Sequence, residues 1–321
     1  MDQTMAEVRI PAPDIDFHPP VYSCIRAKKP FVLDGNVEKP FWDDENLYVG
    51  AILEGDEIWA TLTERDCVIF YDNDFEIFID PDSDTHQYFE FEMNALGTVW
   101  DLMLTKPYRD FGGSAVNGWD IHGLQSAVFI DGELNNPHAN NRRWMAEVVI
   151  PFGALKEGNG GKSPKTGDYY RINFSRVQWD VRVQDKTYVK LPNPESNWVW
   201  APTGLVNIHY PELWGFVFFT ENGELCRVPE NELIKWKLRK LYYAQHAYFD
   251  KHKVFAKNVE QLECETLAIS GLEIETTTHS FEIRCESFNG LHEIILFHDG
   301  KVWLDEKVTE NPLSIPESRT I

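Results

Sequence analysis

Short runs in which apolar and polar residues alternate dominate positions 47 to 219. They fall at 47–53, 57–62, 67–71, 75–80, 88–94, 98–105, 126–131, 144–150, 170–179 and 214–219. Turn-forming clusters separate them, among them Asp80-Pro81-Asp82-Ser83-Asp84, Asp131-Gly132 and Gly158-Asn159-Gly160-Gly161. Many short strands with turns between them, and no long helices alternating with them, predict a mainly β fold, an antiparallel β-sandwich. The pattern changes after Cys226. Ile234, Leu238, Leu241, Tyr242, Tyr248 and Phe249 recur at helical spacing over 229–251, with Lys235, Lys237, Arg239 and Lys240 on other faces. Strand-like runs follow at 267–275, 280–286, 292–298 and 301–304, and Asn289-Gly290 and Asp299-Gly300 are hairpin turn signals between them. The expected organisation is a proline-rich segment over 1–30, a β-sandwich over 31–225, and a helix followed by a small β-meander over 226–321.

Side chains alternate between the two faces of a strand, so parity says which residues point together. In 75–80, Phe75, Ile77 and Ile79 share one face while Glu76, Phe78 and Asp80 share the other. In 88–94, Phe89, Phe91 and Met93 oppose Tyr88, Glu90, Glu92 and Asn94. In the strand ending at Trp179, Arg171, Asn173 and Ser175 alternate with Ile172 and Phe174. Three segments therefore each carry one apolar face and one face of carboxylates, amides and a guanidinium mixed with aromatics. A pyranose offers hydroxyls to such polar groups and an apolar C–H face to aromatic rings, so a surface of this kind suits a saccharide ligand. A water-facing sheet surface would alternate in the same way.

Several landmarks recur in a known order. They are Leu33-Asp34-Gly35 with Trp42, Trp42 to Val49, Asp72 to Asp80, Phe91 to Asn94, Trp144 to Phe152, Tyr170 to Arg176, Trp200-Ala201-Pro202 and Pro211 to Gly215. Over residues 31–225 the chain resembles carbohydrate-binding modules of family 9. The resemblance implies a β-sandwich, noncatalytic binding of a saccharide end on one sheet face, a link to carbohydrate catabolism, and structural calcium. It places an aromatic wall at Phe70 or Tyr71 and polar site positions at Glu76 and Asn94. It also places Glu92 where those modules carry an arginine, and Ile208 near the place of a second aromatic wall. Trp42 serves two landmarks at once, so an early edge strand is expected to be missing. Arg171 and Asn173 join the candidate ligand-binding set by parity. Trp179, Trp198, Trp200 and His209 join it because they fall where such modules build the late half of the site. Asp80, Asp82 and Asp84 put carboxylates at alternate positions after a strand, an oxygen-rich arrangement suited to calcium.

Charge and composition narrow the remaining choices. Of 321 residues 52 are acidic and 30 basic, a net charge of −22, and this field disfavours binding to nucleic acid or anionic lipid. Aromatics make up 13% and hydrophobic residues 43%, which excludes a disordered polyelectrolyte. No apolar run is long enough for a membrane span, and the first 30 residues lack a cationic start followed by an apolar stretch, so a cytoplasmic location is expected. Five scattered cysteines without a Cys-x-x-Cys pair point to reduced thiols rather than a disulfide framework. Two alternatives to sugar binding stay open. One is a glycoside hydrolase acting on O-glycosyl bonds, for which Glu76, Glu90 and Glu92 could supply two carboxyl groups. The other is an interaction scaffold whose sugar site has decayed and whose appended helix docks a partner.

Overall fold

The computed structural model describes residues 10–29, 31–110, 114–262, 264 and 268–306, and they divide into two units at Val228/Pro229. The first unit opens with β1 (Val21–Ile25), β2 (Asn46–Glu54), β3 (Asp74–Asp80), β4 (Tyr88–Asn94) and β5 (Val99–Leu104). It continues with β6 (Ala115–Val116), β7 (Gln125–Asp131), β8 (Arg143–Pro151), a one-turn helix α1 (Lys156–Asn159) and β9 (Tyr169–Gln178). The hairpin β10 (Val181–Gln184)/β11 (Thr187–Lys190), then β12 (Ser196–Val199) and β13 (Gly215–Thr220), complete it. The large sheet runs β1-β13-β9-β3-β4-β5-β6, and β12 also pairs with β9. The smaller sheet runs β2-β8-β7. Among these ladders only β1 with β13 is parallel. Val21–Ile25 lies inside the segment expected to stand apart as proline-rich; it is a strand of the large sheet.

The alternation seen in the sequence sorts the two faces of the large sheet. Phe75, Ile77 and Ile79 of β3 and Phe89, Phe91 and Met93 of β4 are buried with Val49 and Leu53 of β2 and Ala146, Val148 and Ile150 of β8, forming one core between the two sheets. The architecture is therefore a β-sandwich. The opposite face of the large sheet carries a second, smaller apolar cluster of Phe78, Tyr88, Leu102, Leu104 and Trp214, with Trp100, Ala115 and Ile208 packed on it. Trp42 is fully buried, donates its indole N–H to Thr220 O at 3.1 Å, and bridges to both Arg26 and Leu47.

Two expected strands take another form. Residues 57–62 form no ladder: Ile58 O accepts the Asn135 backbone N–H at 2.9 Å, and the groups that follow go to side chains. Ala60 N–H donates to Asn135 Oδ1 at 3.0 Å and Ala60 O accepts from Asn135 Nδ2 at 2.8 Å, while Thr61 and Leu62 N–H both donate to Asp72 Oδ2 at 2.6 and 2.7 Å. In 67–71, Ile69–Tyr71 close a single 3-10 turn instead.

The second unit has the helix α2 (Glu230–His252) and an antiparallel meander of β14 (Glu273–Thr276), β15 (Phe281–Glu286), β16 (His292–Phe297) and β17 (Val302–Glu306). Leu238, Leu241 and Tyr242 of α2 are buried, as are Phe281, Ile283, Ile294 and Leu296 of the meander, and the Tyr242 and Phe281 rings meet at 6.4 Å. Two of the helix cations expected on other faces are buried instead. Lys235 pairs with Glu232 at 2.7 Å, and the Arg239 guanidinium lies over the Tyr242 ring at 5.3 Å. Among the described residues no helix is long and apolar enough to cross a membrane.

Candidate functional site

Strand β3 sits between β4 and β9, so the register fixes which side chains share its polar face. Glu76 stands opposite Glu92 on one side and Ser175 on the other; Asp74 stands opposite Asn94 and Val177; Phe78 stands opposite Glu90 and Asn173. The shared face expected from parity is real in this register. It is not, however, an open surface: all of these residues are buried. Trp214 and Ile208, from a segment far along the chain, pack on the part of this face that carries Phe78 and Tyr88.

Three of the expected ligand side chains are committed to the framework. Arg171 donates through Nε to Trp214 O at 3.0 Å and through Nη2 to Glu212 O at 2.8 Å, and its guanidinium lies over the Phe216 ring at 4.0 Å. Asn173 donates to Ala201 O and accepts from Ala201 N–H, both at 2.9 Å, so its amide stands in for a strand partner. Asn94 donates to Leu62 O at 2.9 Å and Asp72 Oδ2 at 3.1 Å, and its carbonyl accepts the N–H of Leu96 and of Thr98, closing the turn after β4.

The aromatic candidates separate as well. Phe70 is half-buried and Tyr71 is 55% exposed beside it, their centroids 5.0 Å apart. Trp179 props this turn from behind: its Nε1 donates to Phe70 O at 2.8 Å, and Lys190 Nζ lies 3.2 Å from its ring centre and donates to Tyr71 O at 2.6 Å. Trp198 pairs with Arg176, so it projects from the opposite side of β12 to Asn197 and Val199. Trp200 packs on the main core, against Phe174 at 5.6 Å, and so closely on Gly215 that a Cβ there would stand 2.2 Å away. His209 accepts from or donates to Tyr88 OH through Nδ1 at 2.9 Å and meets the Tyr108 ring at 4.6 Å; burial and the nearby Arg109 lower its pKa to about 3, so it is neutral.

What remains open is a cleft of about 740 Å³ over the end of this face. Phe70, Glu76, Ser175, Glu195, Asn197 and Ile208 line it, together with the loop of residues 202–208. Of the eleven expected ligand residues it admits Phe70 and Glu76. Sequence reasoning missed Glu195, Asn197 and the loop as site elements. Ser175 stood in the polar parity set of its strand, and alternation along 196–199 would have put Asn197 and Val199 on one face.

Behind the cleft lies a concentration of negative charge. One carboxylate oxygen each from Asp74, Glu76 and Glu92 lies within 4.8 Å of the others. Glu92 accepts the Phe70 N–H at 3.1 Å, and Asp74 Oδ1 accepts the Val177 N–H at 3.2 Å. Burial, reinforced by mutual repulsion, raises Asp74 and Glu92 well above the usual carboxyl range. Burial takes Glu76 to about 7, and burial with the neighbouring Glu76 takes Glu90 to about 8. A second acidic group, Asp80, Asp82 and Asp84, also brings three carboxylate oxygens within 4.8 Å. There the loop folds on its own carboxylates: Ser83 and Thr85 N–H donate to the two oxygens of Asp80 at 3.0 and 2.9 Å, and His86 N–H to Asp84 Oδ1 at 2.7 Å.

No protein-family model matches the chain, and no curated protein matches it. Among solved structures, a protein from Bacteroides uniformis assigned provisionally to carbohydrate binding is similar at 16% identity, covering 55% of this chain and 74% of that one with a TM-score of 0.38. A family 9 carbohydrate-binding module from Caldicellulosiruptor kristjanssonii, solved in complex with glucose, is similar at 14% identity, covering 64% of this chain and 100% of that one with a TM-score of 0.37. Likeness at this level assigns neither family nor function.

Proposed function

We propose that the chain binds carbohydrate without turning it over, taking the end of a saccharide into the cleft beside Phe70. One observation carries this reading: a half-buried aromatic ring and the apolar Ile208 line the same cleft as Glu76, Ser175, Glu195 and Asn197. A ring and an aliphatic side chain offer surface for the C–H face of a sugar, and the four polar groups offer acceptors and donors for its hydroxyls. Phe70 and Ile208 then take the two wall positions, one aromatic and one aliphatic. Calorimetry with a panel of mono- and oligosaccharides, glucose included, tests the proposal. Heat with at least one sugar that is lost in Phe70→Ala supports it. Absence of heat across the panel at millimolar concentration overturns it.

A hydrolase reading draws support from Glu76, a cleft carboxyl titrating near neutrality with Glu195 on the same wall. Turnover of aryl glycosides that disappears in Glu76→Gln would favour it over binding alone; no turnover removes it.

Calcium belongs to the same proposal. Asp80, Asp82 and Asp84 offer only oxygen, the donor chemistry of a hard cation, and would hold it; the ion would supply positive charge to the turn between β3 and β4.

A further inference from the structure

We propose that Asp74, Glu76 and Glu92 form a binding site for a hard divalent cation at the floor of the cleft, separate from the Asp80–Asp84 turn. Asp74, Glu76 and Glu92 are 0%, 6% and 1% exposed, and each gives one oxygen to a group no wider than 4.8 Å. Two oxygens bound to one calcium at 2.3–2.6 Å stand at most about 5 Å apart, so the three can share an ion.

Asp74 supplies the second observation. Its Oδ1 takes the Val177 N–H, but its Oδ2 is buried with no hydrogen-bond partner. A buried carboxylate oxygen without a donor is costly unless something positive reaches it.

Three other buried carboxylates are closed by the chain's own cations. Glu147, fully buried, receives Lys39 Nζ at 2.5 Å; Asp101, also fully buried, receives Arg65; Glu212 receives Arg109 at 2.8 Å. Among the described residues no Lys or Arg pairs with Asp74, Glu76, Glu90 or Glu92. Glu76 and Glu92 are direct cross-strand neighbours, a like-charge pairing that destabilises a sheet. An external cation resolves both facts at once.

The donor set names the class of ion. All three ligands are carboxylate oxygens, with no thiolate or imidazole among them, which suits calcium or magnesium rather than zinc or copper. Glu76 lines the cleft, so water can complete the coordination shell and the ion can exchange. The site stands apart from the saccharide reading, because the ion alone is the probe.

The experiment titrates the full chain, stripped with a chelator at pH 8, with calcium chloride and separately magnesium chloride, by calorimetry and by thermal unfolding. The intact chain is expected to bind and to gain in melting temperature. Glu92→Gln should bind one equivalent fewer and lose its share of that gain, whereas Asp82→Asn, confined to the turn, should keep this equivalent. If Glu92→Gln does not fold, Glu76→Gln is read in the same way. Full stoichiometry retained in the folded variant, or no binding of either ion by the intact chain, overturns the proposal.

Discussion

Glu147 on β8 and Glu92 on β4 are the same residue type, both inside the sandwich unit and both almost wholly removed from water. Their surroundings are opposite. Glu147 takes the Gly35 N–H at 2.7 Å and the Lys39 ammonium at 2.5 Å, and Lys39 also reaches Asp34 at 2.7 Å. The Leu33-Asp34-Gly35 turn exists in this form because Gly35 adopts a φ of +81° with Phe129 carbons only 3.0 Å from where a Cβ would stand. Glu92 has Glu76 across the ladder, a hydrogen bond shared with another carboxyl, Glu90, and the neutral N–H of Phe70. The first carboxylate is closed by a cation the chain itself supplies. The second can be quieted only by a proton or an ion from outside, and the difference teaches where this molecule is self-sufficient.

The largest expected effect breaks the self-sufficient member. Lys39→Met leaves Glu147 buried without its cation and should cost about 3–5 kcal/mol in urea unfolding; a loss under about 1 kcal/mol would erase the contrast. Next comes pH. Glu76 and Glu90 titrate at about 7 and about 8 in the folded chain against an ordinary 4.5, so the native state holds more protons than the unfolded chain across that window. The contribution of these two groups to the stability of the ion-free protein is therefore complete below about 4.5 and is lost as pH climbs towards 8, a fall of several kcal/mol. Melting curves from pH 5 to 8 check this, and Glu92→Gln should flatten the slope. In Phe70→Ala the backbone N–H still serves Glu92 while the ring is gone, so saccharide affinity should drop by about 1–2 kcal/mol with little change in the pH slope. The smallest effect is expected at Trp198, which is 55% exposed and turned away from the cleft. Trp198→Ala should alter calorimetric affinity by less than about 0.5 kcal/mol.

Local pattern made much of this fold legible. Alternation in 75–80 and 88–94 delivered β3 and β4 with their apolar sides inward, and helical spacing delivered α2, because each pattern reflects what one segment buries. Parity also grouped Glu76, Glu92, Asn94 and Asn173 on one face. It could not tell that part of the face is covered, since the covering residues Trp214 and Ile208 come from the segment that precedes β13. Residues 57–62 read as a strand because their composition is strand-like; only Asn135 and Asp72, brought in by the tertiary fold, reveal that side chains take the place of a ladder. Trp200 and Trp198 were equally plausible platforms in sequence, and the register of β12 against β9 decides between interior and rim.

Strand β9 changes neighbour halfway along one edge. Residues 169–172 pair with β13, residues 175–178 pair with β12, and Asn173 stitches the gap to Ala201. The segment joining β12 to β13 leaves the sheet at that fork and passes over the cleft. Within it, Trp200, Ala201, Glu212 and Trp214 are tied into the framework, while residues 205–207 face the cleft without entering any ladder, so ligand preference can drift there with the sheet intact.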